Sequence, residues 1–340
     1  MNDRYSRQIL FDSIGEEGQE LLANKHVLII GAGALGTGNA EILARAGVGK
    51  ITIVDRDYVE WSNLQRQQLF SEEDAKYRMP KAVAARERLE QLNSDIEVEG
   101  LVMDAGAEEL RQLTEFVHLI IDATDNFDTR LLMNDISQET KIPWIYGACV
   151  GSYGLSYSII PGETPCLSCL LEKVPMGGAT CDTAGIIAPA VQMVVAHQTA
   201  EALKLLTGNK DALRNKLVSF DLWNNHYMAM DVRKLKKQDC PSCGNHPSYP
   251  YLNPENQTKT AVLCGRDTVQ IRPSEHGERD LEELSGVLSR LGGRVEQNPY
   301  LLSYRANEQH RLVFFKDGRV LIHGTKDIAE AKNLYYSLIG

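Results

Sequence analysis

The stretch KHVLIIGAGALGTGNAEILARAGVGKITIVDRD, residues 25–57, decides the fold. Residues 27–30 form a short, apolar, β-branched run, the pattern of a buried strand. Gly31-Ala32-Gly33-Ala34-Leu35-Gly36 follows as a G-x-G-x-x-G turn. Residues 39–46 continue with helical spacing, and Gly47 and Gly49 end that helix. Residues 51–54 are a second buried strand, with Asp55 at its carboxyl end. Strand, glycine turn, helix, strand and acid, in that order, make a dinucleotide-type nucleotide-binding unit. Gly31 permits the tight turn, Gly33 lets backbone N–H groups approach a phosphate, and Gly36 lets the helix pack on the strand. The positive end of the helix favours phosphate. Asp55 follows Gly31 by 24 residues and is placed to bond ribose hydroxyls. A glycine turn alone also occurs as plain structure; the two strands and the acid carry the nucleotide reading.

The 340 residues suggest about two domains, and 43% hydrophobic residues suffice for a large core. A net charge of −10 argues against broad nucleic-acid or anionic-membrane binding. The N-terminal MNDRYSRQIL has no apolar signal core, and no apolar run approaches the ~20 residues that span a membrane. Seven cysteines, an odd number in an unsecreted chain, read as metal and thiol chemistry in the cytoplasm.

Along the rest of the chain, the polar connection 56–67 lies directly above a nucleotide-binding strand end, where binding loops sit. Pro80 opens a helix over 81–92, followed by a strand over 96–102 and a short helix over 107–113. A buried strand over 117–121 runs into Asp122-Ala123-Thr124-Asp125-Asn126, which puts Asp125 beside the crevice. A helix over 127–139, capped near Asp125 or Asn126, precedes strands over 143–148 and 150–160. Residues 189–206 form a long apolar helix whose His197 reads as a packed core residue, and 217–232 form a closing hairpin. The predicted fold is α/β. A Rossmann-like nucleotide-binding sheet with helices on both faces occupies residues 1–246, and 247–257 read as a linker. Residues 258–340 make a small α+β module: a strand, a helix over 280–291, a hairpin of 301–304 with 311–315, a strand over 320–323 and a helix over 328–338.

Two C-x-x-C pairs, Cys166/Cys169 and Cys240/Cys243, each in a turn, suit a tetrahedral, closed, structural Zn²⁺ site. A redox dithiol is the alternative. Cys181 stands in a glycine-rich loop, either as an accessible nucleophile or as an incidental loop residue. Cys149 and Cys264 lie in apolar stretches and read as packing residues. Arg66, Lys81 and Asp125 lie on segments that converge on the crevice. Two cations and a carboxylate exceed what an NAD pyrophosphate needs. They suit a triphosphate whose Mg²⁺ is bound by Asp125. Arg7 belongs to a charged arm of the kind that is usually solvated.

These segments together resemble the MoeB/ThiF family of sulfur-carrier adenylyltransferases, bacterial relatives of ubiquitin-activating enzymes. The matching residues are Arg4-Tyr5-x-Arg7-Gln8, the 31–36 turn, Asp55-x-Asp57, Ser62-Asn63-Leu64-Gln65-Arg66-Gln67, Pro80-Lys81, Asp122-x-Thr124-Asp125-Asn126, both C-x-x-C pairs, and Cys181 followed by 184–189. They cover residues 1 to about 245; Ala34 stands where a glycine is common, at a cost of one methyl group. The resemblance implies that the 31–36 turn and Asp55 hold adenosine and ribose. It implies further that Asn63, Arg66 and Lys81 contact phosphates, and that Asp125, with Asn126 beside it, holds Mg²⁺. Arg7 is expected to reach the ATP of the partner subunit of a homodimer. The implied substrate is a ubiquitin-like sulfur carrier ending in Gly-Gly, adenylated by ATP and later converted to a thiocarboxylate. The sulfur comes from a donor such as a cysteine desulfurase or rhodanese. The molybdopterin and thiamine branches are not separated by these residues. An NAD-dependent oxidoreductase and a non-catalytic carrier-binding scaffold are the competing classes.

Overall fold

A computed structural model describes residues 3–171, 184–253, 260–262, 267–271 and 279–339. In the first unit, helices α1 (Ser6–Ile9) and α2 (Gly15–Ala23) lead into β1 (His26–Ile30), α3 (Ala34–Ala46) and β2 (Lys50–Asp55). Next come α4 (Glu72–Lys76), α5 (Lys81–Leu92), β3 (Glu97–Val102), α6 (Ala107–Leu113), β4 (Leu119–Asp122) and α7 (Phe127–Thr140). The chain continues with β5 (Trp144–Val150), β6 (Tyr153–Ile159), α8 (Leu167–Leu171), α9 (Ala188–Leu206), β7 (Leu217–Asp221) and β8 (His226–Met230). The strands form one eight-stranded sheet of order β3-β2-β1-β4-β5-β6-β7-β8. The first five are parallel and the last three antiparallel.

Alternation explains why β1 reads as an unbroken apolar run. Val27 and Ile29 enter one core with Leu43, Ile51, Ile53 and Leu89. Leu28 and Ile30 enter the other with Leu110, Ile120, Ile136 and Trp144. Helices therefore cover both faces, and the strand order reverses direction between β1 and β4. That is the switch point at which open α/β sheets bind ligands, beyond the carboxyl ends of the strands.

The glycines differ from their sequence-based roles in two respects. Helix α3 starts at Ala34, five residues before the spacing predicts, and contains Gly36 and Gly38. A Cβ at Gly36 would lie 1.9 Å from the Gly31 carbonyl oxygen, so this glycine closes the turn on itself rather than seating helix on strand. Gly38 does the packing instead, since a Cβ there would come 2.8 Å from Val195 of α9. Gly33 has room: a Cβ would meet only the Ala123 carbonyl oxygen, at 4.0 Å.

The chain divides into two compact units, Met1–Asn256 and Gln257–Gly340. Part of the segment read as linker is docked within the first: Tyr251 donates its backbone N–H to Asp135 Oδ2 at 2.9 Å, and Leu252 is buried. The second unit is a six-stranded sheet ordered β11-β12-β13-β14-β10-β9. Its strands are β9 (Thr260–Val262), β10 (Thr268–Ile271), β11 (Arg294–Gln297), β12 (Leu301–Arg305), β13 (Arg311–Phe315) and β14 (Val320–His323). The short, polar β11 carries no apolar alternation and is not evident in the sequence. Helices α10 (Leu281–Ser289) and α11 (Ile328–Ile339) complete the unit, where Leu281, Leu288, Ala331 and Tyr335 share a core with Leu312 and Phe314. No helix among the described residues is long and apolar enough to cross a membrane.

The glycine geometry sets a contrast. Gly36→Ala should destabilise the protein by about 3 kcal/mol or more in denaturant unfolding, because backbone cannot yield 1.9 Å as a flexible side chain would. Gly33→Ala should leave stability within about 0.5 kcal/mol.

Candidate active site

At the carboxyl edge of β1 and β4 two turns abut. Gly31, at φ +99°, lies so close to the next loop that a Cβ would meet the Ala123 carbonyl oxygen at 2.5 Å. The first turn of α3 thus opens its N–H groups, which have no helical acceptors, beside the loop after β4. Asp55, at the end of β2, reaches across: its Oδ2 accepts from Ala32 N–H at 2.6 Å and its Oδ1 from Asp57 N–H at 2.7 Å. Burial pushes the Asp55 carboxyl up; Lys81 pulls it down, and Asp57 pushes it up again.

Lys81 is buried at the start of α5 and places its Nζ 3.4 Å from Asp57 Oδ2. Its position is set by backbone: its own N–H donates to Asp57 O at 2.9 Å, and Tyr58 bridges Pro80. Burial disfavours the charge of Arg56, but Asp104, Asp57, Asp125 and Asp55 outweigh it and hold the guanidinium firmly protonated. Asp55, Asp57, Lys81 and the glycine turn are therefore one group in space.

Asp125 is exposed in the loop after β4 and makes no hydrogen bond with another described residue. An exposed carboxylate with no hydrogen bond among the described residues, beside a phosphate-type turn, is the donor set that Mg²⁺ takes when nucleotide oxygens and water complete its shell. Asn126 is engaged within the fold, where its Oδ1 accepts from Thr129 N–H at 2.8 Å and caps α7. In the 62–67 loop, Asn63 is buried and its Oδ1 accepts from Glu60 N–H at 2.9 Å. Arg66 donates to the Ser62 carbonyl at 2.8 Å, within its own loop. Leu64 packs on the core, and Gln65 donates to Ile186 O at 3.1 Å. That last bond ties the loop to the segment entering α9, which also docks on Gly151.

Arg7 is exposed and stands elsewhere on its own chain. Its neighbour Gln8 donates to Ala46 O at 2.8 Å, and Arg4 donates to Leu92 O at 2.9 Å. These carbonyls end α3 and α5, whereas the glycine turn begins α3. Thirteen residues of helix, about 20 Å, separate the two ends.

The four cysteines come together. Their Sγ atoms all lie within 4.8 Å of one another, with 3.9 Å for Cys166–Cys169, 3.6 Å for Cys166–Cys240 and 3.5 Å for Cys169–Cys243. Tetrahedral Zn–S bonds of about 2.3 Å imply S···S edges near 3.8 Å, so the set fits Zn²⁺. None of the four is in a disulfide, and their mutual contacts ease ionisation of Cys169 only while pushing Cys166 and Cys243 up. Four thiols this close ionise together only around a cation. The first pair lies at helix α8, not in a turn as the sequence suggests; the second is in a turn. Cys181 and Cys264 lie outside the described residues. Cys149 is half-buried beside Leu35 and Val191, and His197 is half-buried between the Phe220 and Tyr227 rings.

Two residues that the sequence does not single out, Arg130 and Gln198, are buried next to the loop after β4. Arg130 Nε donates to Asp122 Oδ2 at 2.9 Å, and Gln198 Nε2 donates to Asp122 O at 2.9 Å. An arginine or a glutamine inside a helix carries no local signal in the sequence.

Comparison with known proteins agrees with this geometry. The model of the ThiF family matches residues 5–242. The sulfur carrier protein ThiS adenylyltransferase of Bacillus subtilis is 56% identical over 340 residues, all of both chains. The molybdopterin-synthase adenylyltransferase of Escherichia coli is 35% identical over 246 residues, 71% of this chain and 96% of that one. The crystal structure of E. coli MccB with ATP shares the fold, with a TM-score of 0.61 and 24% identity over 72% of this chain and 75% of that one.

Metal analysis should find one zinc per chain in freshly purified protein. Cys240→Ser should lose the zinc and lower the melting temperature, because the metal joins segments far apart in sequence. Absence of zinc from the wild-type protein would refute the structural site.

Proposed function

The chain belongs to the ThiF family, and we propose that it is the adenylyltransferase of a ThiS-like sulfur carrier. It is an enzyme that uses ATP to activate a sulfur-carrier protein. The full-length likeness to a ThiS adenylyltransferase favours the thiamine branch over the molybdopterin branch. One observation carries the chemical reading: the glycine turn, the Asp55–Asp57–Lys81 group and the exposed Asp125 lie at one sheet edge.

In this reading the 31–36 turn seats the phosphates of ATP, and Asp55 exchanges its bond with Ala32 for the ribose hydroxyls. The carrier's C-terminal Gly-Gly carboxylate is ionised at pH 7, so the reaction needs no general base. It attacks the α-phosphorus, and pyrophosphate leaves. The protein contributes position and charge: Lys81, Arg66 and a partner's Arg7 neutralise the phosphates, while Asp57 holds Lys81 in place. Mg²⁺, held by Asp125, would supply further charge neutralisation across the phosphates. Zn²⁺ on Cys166, Cys169, Cys240 and Cys243 is structural, since four thiolates leave no open position.

The active unit is a homodimer. The far end of α3 is the wrong place from which Arg7 could serve its own crevice, and exposed Leu10 and Phe11 adjoin it as an apolar contact surface. Adenylated carrier then passes to a sulfur donor such as a cysteine desulfurase or rhodanese in the cytoplasm. Cys181 is the thiol for that later step, while adenylation itself has no use for one.

ATP–pyrophosphate exchange with a ThiS-like carrier tests the reading. Asp125→Ala should lower the rate by about 10² to 10³-fold, the effect of removing one electrostatic stabiliser. A rate within threefold of wild type would remove Asp125 from the mechanism.

Mixed dimers test the placement of Arg7. Arg7→Ala and Asp125→Ala homodimers should both be inactive. A dimer of one chain of each keeps one whole site, so part of the activity should return. Verified mixed dimers without recovery would count against action across the interface.

A further inference from the structure

The parallel ladder between β4 and β5 stops early. It runs through Ile120↔Trp144 and Ile121↔Ile145, whereas β1 stays paired with β4 as far as Ile30↔Asp122. Beyond Ile121 the two strands part, and two buried polar side chains enter the gap from opposite faces of the sheet. From α9, Gln198 Nε2 donates to Asp122 O at 2.9 Å and Ile145 O at 3.2 Å. Gly147 leaves room for that amide: a Cβ there would lie 2.4 Å from Gln198 Nε2. Gln198 Oε1 accepts from Asn39 of α3 at 2.8 Å, which joins the helix of the glycine turn to the same gap.

From α7 comes Arg130. Its Nε donates to Asp122 Oδ2 at 2.9 Å, and its Nη2 to Thr124 O at 2.7 Å and Gly147 O at 3.1 Å. The guanidinium lies over the rings of Phe127, 5.4 Å away, and Tyr146, 5.1 Å away. Asp122 is fully buried and turns its other oxygen back on the loop: Oδ1 accepts from Thr124 N–H at 2.9 Å and from Thr124 Oγ1 at 2.7 Å. Thr124 is thus held through its N–H, its hydroxyl and its carbonyl. The carbonyl belongs to the peptide bond that leads directly into Asp125.

We propose that Arg130 is a positioning residue for the adenylation site, which sets the backbone of the 122–126 loop and through it the direction of the Asp125 carboxylate. Apolar side chains would fill a gap of this size and avoid the desolvation cost of a buried ion pair. What they would lack is a planar fork that reaches a carbonyl of the loop after β4 and one of β5 while pairing Asp122. Lysine keeps the charge and loses the fork. The inference rests on the reading of Asp125 as the Mg²⁺ ligand. It concerns how that carboxylate is aimed, not whether the loop folds.

Calorimetric titration of the full-length protein with ATP, once in EDTA and once in MgCl₂, isolates the effect. Arg130→Lys should bind ATP in EDTA within twofold of wild type, because Ala123, which packs on the glycine turn, is anchored separately by its own N–H to Ile30 O at 2.9 Å, and Asp55 is untouched. The gain in affinity on adding Mg²⁺ should fall by tenfold or more. The double variant Asp122→Asn, Arg130→Gln removes both buried charges together and should show the same loss. A gain within threefold of wild type in a folded variant would overturn the inference, as would equal weakening with and without Mg²⁺. Failure of both variants to fold would also overturn it, by making the pair a matter of stability. If the wild-type protein itself shows no Mg²⁺-dependent gain, the Asp125 reading falls and takes the inference with it.

Discussion

The close approach of Gly31 to the Ala123 carbonyl is the constraint on which the site depends. Side chains cannot fit between the two turns, so the loop after β1 and the loop after β4 lie against each other. One consequence is electrostatic. The open N–H groups at the start of α3 lie next to the loop that carries Asp125, so backbone donors and an exposed carboxylate are adjacent without any side chain spanning the distance. Asp55 adds to this by bonding Ala32 within the turn. A carboxylate already fastened to the glycine turn is in reach of whatever the turn binds.

Charge at the crevice is organised by burial. Lys81 and Asp57 are paired where little water reaches them, and Asp122 with Arg130 more deeply still. Pairs of this kind contribute little to stability beyond what hydrophobic residues would, because desolvation offsets most of the attraction. They do give geometry. A buried ammonium with one acceptor at 3.4 Å keeps donors to spare beside the glycine turn. The four cysteines are a separate group: they bring helix α8 and a turn beyond β8 together, in a set that fits one Zn²⁺.

Much of the architecture was legible in the sequence because it rests on local rules. An apolar run, a glycine turn, a helical period and a strand-end acid are each written within a few residues, and residues 25–57 hold all four. The C-x-x-C spacing is local in the same sense: two thiols three residues apart suit one tetrahedral metal whatever surrounds them. The order of short motifs along 1–245 also pointed to the family that residues 5–242 match. Boundaries were less legible. Helix α3 begins inside the glycine turn and carries Gly38 within it, at a point where it packs on Val195 of α9, a residue far along the chain.

By itself, then, the sequence determined the strand–turn–helix unit, the residue types at the edge of the sheet and two thiol pairs of metal-binding spacing. Tertiary structure alone decided which of them meet. It joined Lys81 to Asp57, gave Asn126 to a helix cap, and took Arg7 to the end of α3 away from the glycine turn. It also brought Arg130 and Gln198 from opposite faces into the gap between β4 and β5. The physical reason is range: periodicity and turn chemistry act over a few residues and leave a trace in each, while a gap between two strands exists only once helices from distant segments have packed on both faces of the sheet.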